Sequence, residues 1–253
     1  MNIIGLDPNR APYKYLDEYI PTPDWDKMHI EASLGIAKSV WSKKFVSSGV
    51  HRNWAEQEIT TTFLDLENRL TPDQLAAFHT LKETDQKIKY LNALTYTPHP
   101  FWLIFLRWNR RTEGTGVQNK SVAEDCFWTD NARHFPKLVE FIKSMPFESI
   151  GRVLFFMTEA NATTVPHFDA ANEEQRITKG HDDFIWFNTK SKSKGIYVMD
   201  KDTLEKVYPD PDKRFIWWNE MDFHGTDPVG HFSFSIRIDG KFKPEVKQAL
   251  IKG

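Results

Sequence analysis

His167 and Asp169 stand two residues apart, and His224 follows far downstream. Two imidazoles and one carboxylate are the donor set of the facial triad that holds a mononuclear non-haem Fe(II) and leaves three octahedral corners open. A His-x-Asp pair supplies two of those ligands only on extended backbone, where residues i and i+2 project from one strand face. On a helix the same pair splays by roughly 200°. Local structure therefore decides whether the spacing carries meaning.

Three stretches have the spacing: His29-Ile30-Glu31, His167-Phe168-Asp169 and His181-Asp182-Asp183. The first lies in a helical pattern, where Glu31 points elsewhere. The second follows Pro166, which disfavours helix before it and suits an extended entry. The third opens a strand-like run and is the rival pair. Context ranks His167/Asp169 first. The third ligand should arrive late, on a strand brought beside the first, and His224 in Met221-Asp222-Phe223-His224-Gly225-Thr226 suits this; His231 is the fallback.

Ser233, Ser235 and Arg237 share one face of an alternating strand. An arginine pointing into a β-core is costly unless it meets an anion. A bidentate grip on a dicarboxylate would offset that cost. The bland alternative is a pairing with a local acid, Asp239 or Asp222.

These residues need elements to position them. Asp24 to Val46 places apolar residues at mostly helical intervals, and Thr71-Pro72-Asp73-Gln74 has the grammar of a capped helix start. The first third, 1–95, is therefore expected to be a helical region packed on a core spanning 96–253, the two forming one integrated domain. Within that core Trp102 to Arg107 reads as a strand and Arg133 to Met145 as an amphipathic helix. Short apolar runs separated by turns follow: Arg152 to Met157, Phe184 to Asn188, Gly195 to Met199, Arg214 to Trp218 and Phe232 to Ile238. Such spacing marks a sandwich or barrel, and a jelly roll fits best. Lys243 to Lys252 reads as a closing helix. The fold class is mainly β with helical support.

The chain of 253 residues has a formal net charge of -2 and no concentrated basic block, which argues against nucleic-acid or anionic-membrane partners. Cys126 is the only cysteine, so neither an intrachain disulfide nor a Cys-rich zinc module can form. The first residues lack a basic n-region and a long apolar run, so no signal peptide is read and the expected location is cytoplasmic.

With His167-Phe168-Asp169, His224 and Arg237 in place, the chain resembles the Fe(II)/2-oxoglutarate-dependent dioxygenases. The resemblance covers about 151–240. It implies a distorted double-stranded β-helix (cupin-like) core, Fe(II) held by His167, Asp169 and His224, and 2-oxoglutarate and O₂ as cosubstrates, with Arg237 on the far carboxylate. The stretch from His167 through Arg176 and His181 to Asn188, and Asn219 to Thr226, is similar to the aspartyl/asparaginyl β-hydroxylase-like branch. That likeness implicates Arg176 and His181 in holding 2-oxoglutarate. It implies oxidative decarboxylation to succinate and CO₂ coupled to hydroxylation of a substrate C–H bond. Asp169 favours that outcome over halogenation, since related halogenases carry a small residue there; desaturation or ring closure stays open.

Glu159, Asn172, Trp218 and Asn219 flank the proposed ligands and are candidates for the substrate side, with a small polar molecule such as a free amino acid favoured. A protein or peptide side chain is the alternative within the same chemistry. A cupin-like metalloprotein would keep the metal ligands without needing Arg237 or 2-oxoglutarate, and a non-catalytic jelly-roll binding protein would need neither. The helical region is the candidate surface for a homodimer.

Overall fold

A computed structural model describes residues 11–45, 71–82, 86, 90, 100–108, 123, 126–158, 164–167, 183–190, 195–200, 203, 205–219, 222–227 and 229–252, with the backbone alone at 42–45, 100–101, 164–167 and 251–252. In chain order the strands are β1 (Tyr13–Tyr15), β2 (Ser42–Phe45), β3 (Pro100–Trp108), β4 (Phe127–Trp128), β5 (Phe147–Thr158), β6 (Thr164–His167), β7 (Asp183–Phe187), β8 (Ile196–Met199), β9 (Lys206–Val207), β10 (Ile216–Trp218), β11 (His224–Thr226) and β12 (Ser233–Phe242). The helices are α1 (Trp25–Lys38), α2 (Pro72–Thr80), α3 (Pro136–Lys143) and α4 (Pro244–Lys252).

From β5 onward the chain crosses between two antiparallel sheets. The larger has the order β1-β10-β7-β12-β5-β3-β2, with β4 on β3, and the smaller has the order β6-β11-β8-β9. Thus β5 pairs with β12, β6 with β11 and β7 with both β12 and β10. First pairs with last and second with next-to-last, which is the winding of a double-stranded β-helix. The sheets meet face to face, with the Trp218 ring of β10 5.6 Å from the His224 ring of β11.

Sequence and layer position agree. Every residue of β7 is buried, because one face meets the smaller sheet and the other meets helices. A strand covered on both faces is apolar throughout and loses the alternation of a half-exposed one. On the helix side Trp25 and Phe141 pack against Phe187 and Phe215. Close approach of α1 requires Gly35: a Cβ there would lie 2.3 Å from the Phe135 ring.

The helix starting at Asp24 is shorter than its apolar spacing suggests. It ends at Lys38, where the Ser39 N–H turns back to the Ile36 carbonyl and the Trp41 indole donates to the same oxygen at 2.8 Å. The next residues, 42–45, pair with β3. A free sheet edge offered a ladder of hydrogen bonds that helical spacing could not reveal. The capped start at Thr71 is present in full, with Thr71 and Gln74 bonding each other's backbone N–H. The run from Arg133 to Met145 divides into a 3-10 turn ending at His134 and α3, with Pro136 at the break. No described helix is long and apolar enough to cross a membrane.

Candidate metal and anion site

Strand β11 is only three residues long, and it sits in the middle of the smaller sheet. Its register sets His224 opposite His167 of β6 and opposite Val198 of β8. A bulge follows, since Thr226 pairs with Thr164. The two histidines, far apart along the chain, are therefore immediate cross-strand neighbours at the backbone level.

His224 is 4 % exposed, and its Nδ1 lies 2.8 Å from the Asp222 carbonyl oxygen. A carbonyl can only accept, so Nδ1 carries the proton and the lone pair of the neutral ring resides on Nε2. A backbone hydrogen bond of this kind fixes the tautomer and ring direction of a histidine, as it commonly does in metal sites. The turn that presents it is local: the Asp222 N–H donates to the Asn219 carbonyl at 2.8 Å. Asn219 and Asp222 are both fully buried.

Arg237 faces the interior from β12, directly opposite Trp186 of β7 and Leu154 of β5. Its guanidinium lies 4.0 Å from the centre of the Phe184 ring, and its Nε donates to Asp239 Oδ1 at 2.7 Å. Arg152 of β5 donates its Nε to the other oxygen, Oδ2, also at 2.7 Å. Two buried guanidinium groups thus share one buried carboxylate. Asp239 was foreseen as a local partner for Arg237; Arg152 was not. A charged residue heading the apolar run Val153 to Met157 is the signal that could have found it.

Trp218 packs on the His224 ring and on rings beside Arg237. Its ring packs edge-on against Phe184 at 4.8 Å and against Trp186 at 6.1 Å. Trp217 is buried as well.

The rival motifs have structural employment. Glu31 accepts the Leu138 N–H at 2.8 Å and so caps α3, whose own N-cap is Phe135. His29 bonds Thr189 Oγ1 at 2.9 Å and stacks on Phe234. Asp183 accepts the Phe242 N–H at 3.0 Å through Oδ2 and binds Lys247 through Oδ1, tying α4 to β7. His231 is exposed in the turn before β12. Asp169, Arg176, His181, Glu159 and Asn172 lie outside the described residues. Among the described residues no group of three or more His, Cys, Asp or Glu side chains could hold a metal ion.

No protein-family model matches the chain, and no curated protein does. Solved structures with a distant likeness include an oxidoreductase of the 2OG-Fe(II) oxygenase family from Burkholderia pseudomallei, with TM-score 0.35 and 9% identity over 87% of this chain and 91% of that one. A prolyl-4-hydroxylase from Pseudomonas putida has TM-score 0.31 and 11% identity, covering 84% of this chain and 99% of its own. A prolyl hydroxylase from Trichoplax adhaerens, in complex with a hypoxia inducible factor oxygen degradation domain peptide fragment, has TM-score 0.32 and 9% identity, covering 90% and 97%. The fold assignment rests on the strand order, not on likeness at this level.

Proposed function

We propose that this chain is an Fe(II)- and 2-oxoglutarate-dependent oxygenase that hydroxylates an unactivated C–H bond of a small polar molecule such as a free amino acid. One observation carries the reading: the register sets His224 opposite His167, with Asp169 two residues on. Directly opposed residues of an antiparallel pair take the same face of a sheet. The likeness of the segments around His167 and His224 to the aspartyl/asparaginyl β-hydroxylase-like branch supports a place beside it.

The donor chemistry fits a ferrous ion. His224 would bind through Nε2, because Nδ1 is committed to the Asp222 carbonyl; His167 and Asp169 would complete the set. Arg237 would hold the far carboxylate of 2-oxoglutarate, with Arg176 and His181 assisting. Asp239 orients that guanidinium through Nε, and guanidinium groups in general grip carboxylates bidentately. When bound, the metal together with 2-oxoglutarate and O₂ would supply the oxidant. The protein's part is to orient the reactants and keep water out; Leu154 and Trp186, opposite Arg237, and Phe184, beneath its guanidinium, are buried. Glu159, Asn172 and Asn219 would serve the substrate side.

Anaerobic addition of Fe(II) and then 2-oxoglutarate tests the reading. A weak visible metal-to-ligand charge-transfer band is expected in wild type and should vanish in His224→Ala. Wild type without a band would remove the basis for the cosubstrate. A screen of amino acids for products heavier by one oxygen addresses the substrate; gain of oxygen only in peptides would replace the small-molecule reading with the peptide one.

A further inference from the structure

The Trp218 indole is 3 % exposed, and its Nε1–H is buried with no hydrogen-bond acceptor among the described residues. Native interiors hold few such donors, and each calls for a reason. Indole has one polar atom and can only donate, so whatever completes it must present a lone pair.

Its surroundings narrow the choice. One neighbour is the His224 ring at 5.6 Å, the proposed metal ligand. Another is Phe184 at 4.8 Å, and the Arg237 guanidinium lies 4.0 Å from the centre of that same ring. The indole therefore adjoins the proposed metal ligand and shares the Phe184 ring with the buried cation. A neutral donor flanked by cationic and metal-binding groups favours an anionic acceptor, since hydrogen bonds to charged oxygens are the stronger kind.

We propose that Trp218 Nε1–H donates to a carboxylate oxygen of 2-oxoglutarate, so that the bound keto acid completes a donor the fold leaves open. This rests on the oxygenase reading and deepens it. It makes Trp218 a cosubstrate-binding residue instead of a wall of the substrate pocket. An indole N–H is uncharged and cannot be satisfied by a methyl group, so the site should prefer the dicarboxylate over neutral or shorter keto compounds.

The test uses protein labelled with ¹⁵N in its nine tryptophan indoles, loaded with diamagnetic Zn(II) and titrated with 2-oxoglutarate without turnover. The indole resonance missing from Trp218→Phe should move downfield and exchange more slowly with solvent as the keto acid binds. Trp218→Phe should bind 2-oxoglutarate about tenfold to a hundredfold more weakly, the range for a hydrogen bond to a charged group. If Trp218→Phe does not fold, the resonance is assigned in wild type from its proximity to both the Phe184 and the His224 rings, and its movement alone decides. Binding in wild type with that resonance unmoved and the affinity of Trp218→Phe unchanged overturns the inference and spares the oxygenase reading. Movement only when substrate is added overturns it as well. Failure of wild type to bind 2-oxoglutarate, together with absence of the Fe(II) band, overturns both.

Discussion

Arg152 and Arg237, on adjacent strands, divide one carboxylate between them: each Nε lies 2.7 Å from a different oxygen of Asp239. The three side chains are buried, so the arrangement is more than a surface ion pair. A carboxylate held from both sides cannot swing, and it fixes the plane of each guanidinium in turn. In the proposed oxygenase, that rigidity would hold the Arg237 guanidinium in one orientation toward 2-oxoglutarate.

Removing the shared carboxylate should therefore be severe. Asp239→Ala leaves two buried guanidinium groups without their common partner, and breaking a buried pair costs about 3–5 kcal/mol. Urea unfolding of the purified variant measures this directly. A loss below about 1 kcal/mol, the range of a surface ion pair, would show that water already screens the cluster.

Glu31 offers a milder test of the same kind. It reaches from α1 to the Leu138 N–H at 2.8 Å and does the work of a missing N-cap side chain. Glu31→Ala should destabilise by about 0.5–2 kcal/mol, as for loss of other N-cap acceptors. Glu31→Gln keeps an acceptor oxygen and should recover most of the loss. Equal losses in the two variants would mean that the contact matters only through charge.

These two acids also show what was legible in the sequence. The major strands were readable because runs such as Val153 to Met157 and Phe184 to Phe187 are apolar and bounded by turns. The capping box at Thr71 and Gln74 is a purely local pattern and was equally plain. Strand β11 is three residues of His-Gly-Thr, and β9 is two residues of Lys-Val. Segments so short have no period, and only their neighbours make them strands. His224 could be proposed from its type and late position, but its register against His167 is a property of the closed sheet. Helical context already set Glu31 aside as a metal ligand, but its role as a helix cap was out of reach, because spacing along a chain says nothing about which backbone N–H lies across the interface.

Stability should respond to pH through His29. Partial burial, reinforced by Lys190, lowers its affinity for a proton below that of a free histidine. The unfolded chain then binds a proton more readily than the folded one. The contribution is fully present above the ordinary histidine pKa of about 6.5 and is lost as pH falls below it toward the depressed folded value. Unfolding free energy should accordingly decline as pH falls below about 6.5, and His29→Gln should flatten part of that slope. The effect is small, because the ring is only half-buried. An identical slope in wild type and variant would remove His29 from the account.

Asp183 and Asp169 allow the two His-x-Asp spacings to be told apart in one experiment. Asp183 spends one oxygen on the Phe242 N–H and the other on Lys247, so its role is to seat α4 against β7. Asp183→Ala should lower stability by about 1.5–3 kcal/mol, the range for a hydrogen bond to a charged group. It should leave the Fe(II)–2-oxoglutarate band in place at a temperature where the variant is folded. Asp169→Ala should do the reverse, abolishing the band with the fold retained by circular dichroism. Outer-sphere partners of a metal already cost about 10–100-fold in affinity when removed, and loss of a ligand must cost at least as much. Loss of the band in Asp183→Ala but not in Asp169→Ala would move the metal to the rival pair, and the pairing of His224 with His167 would then be a structural contact with no metal behind it.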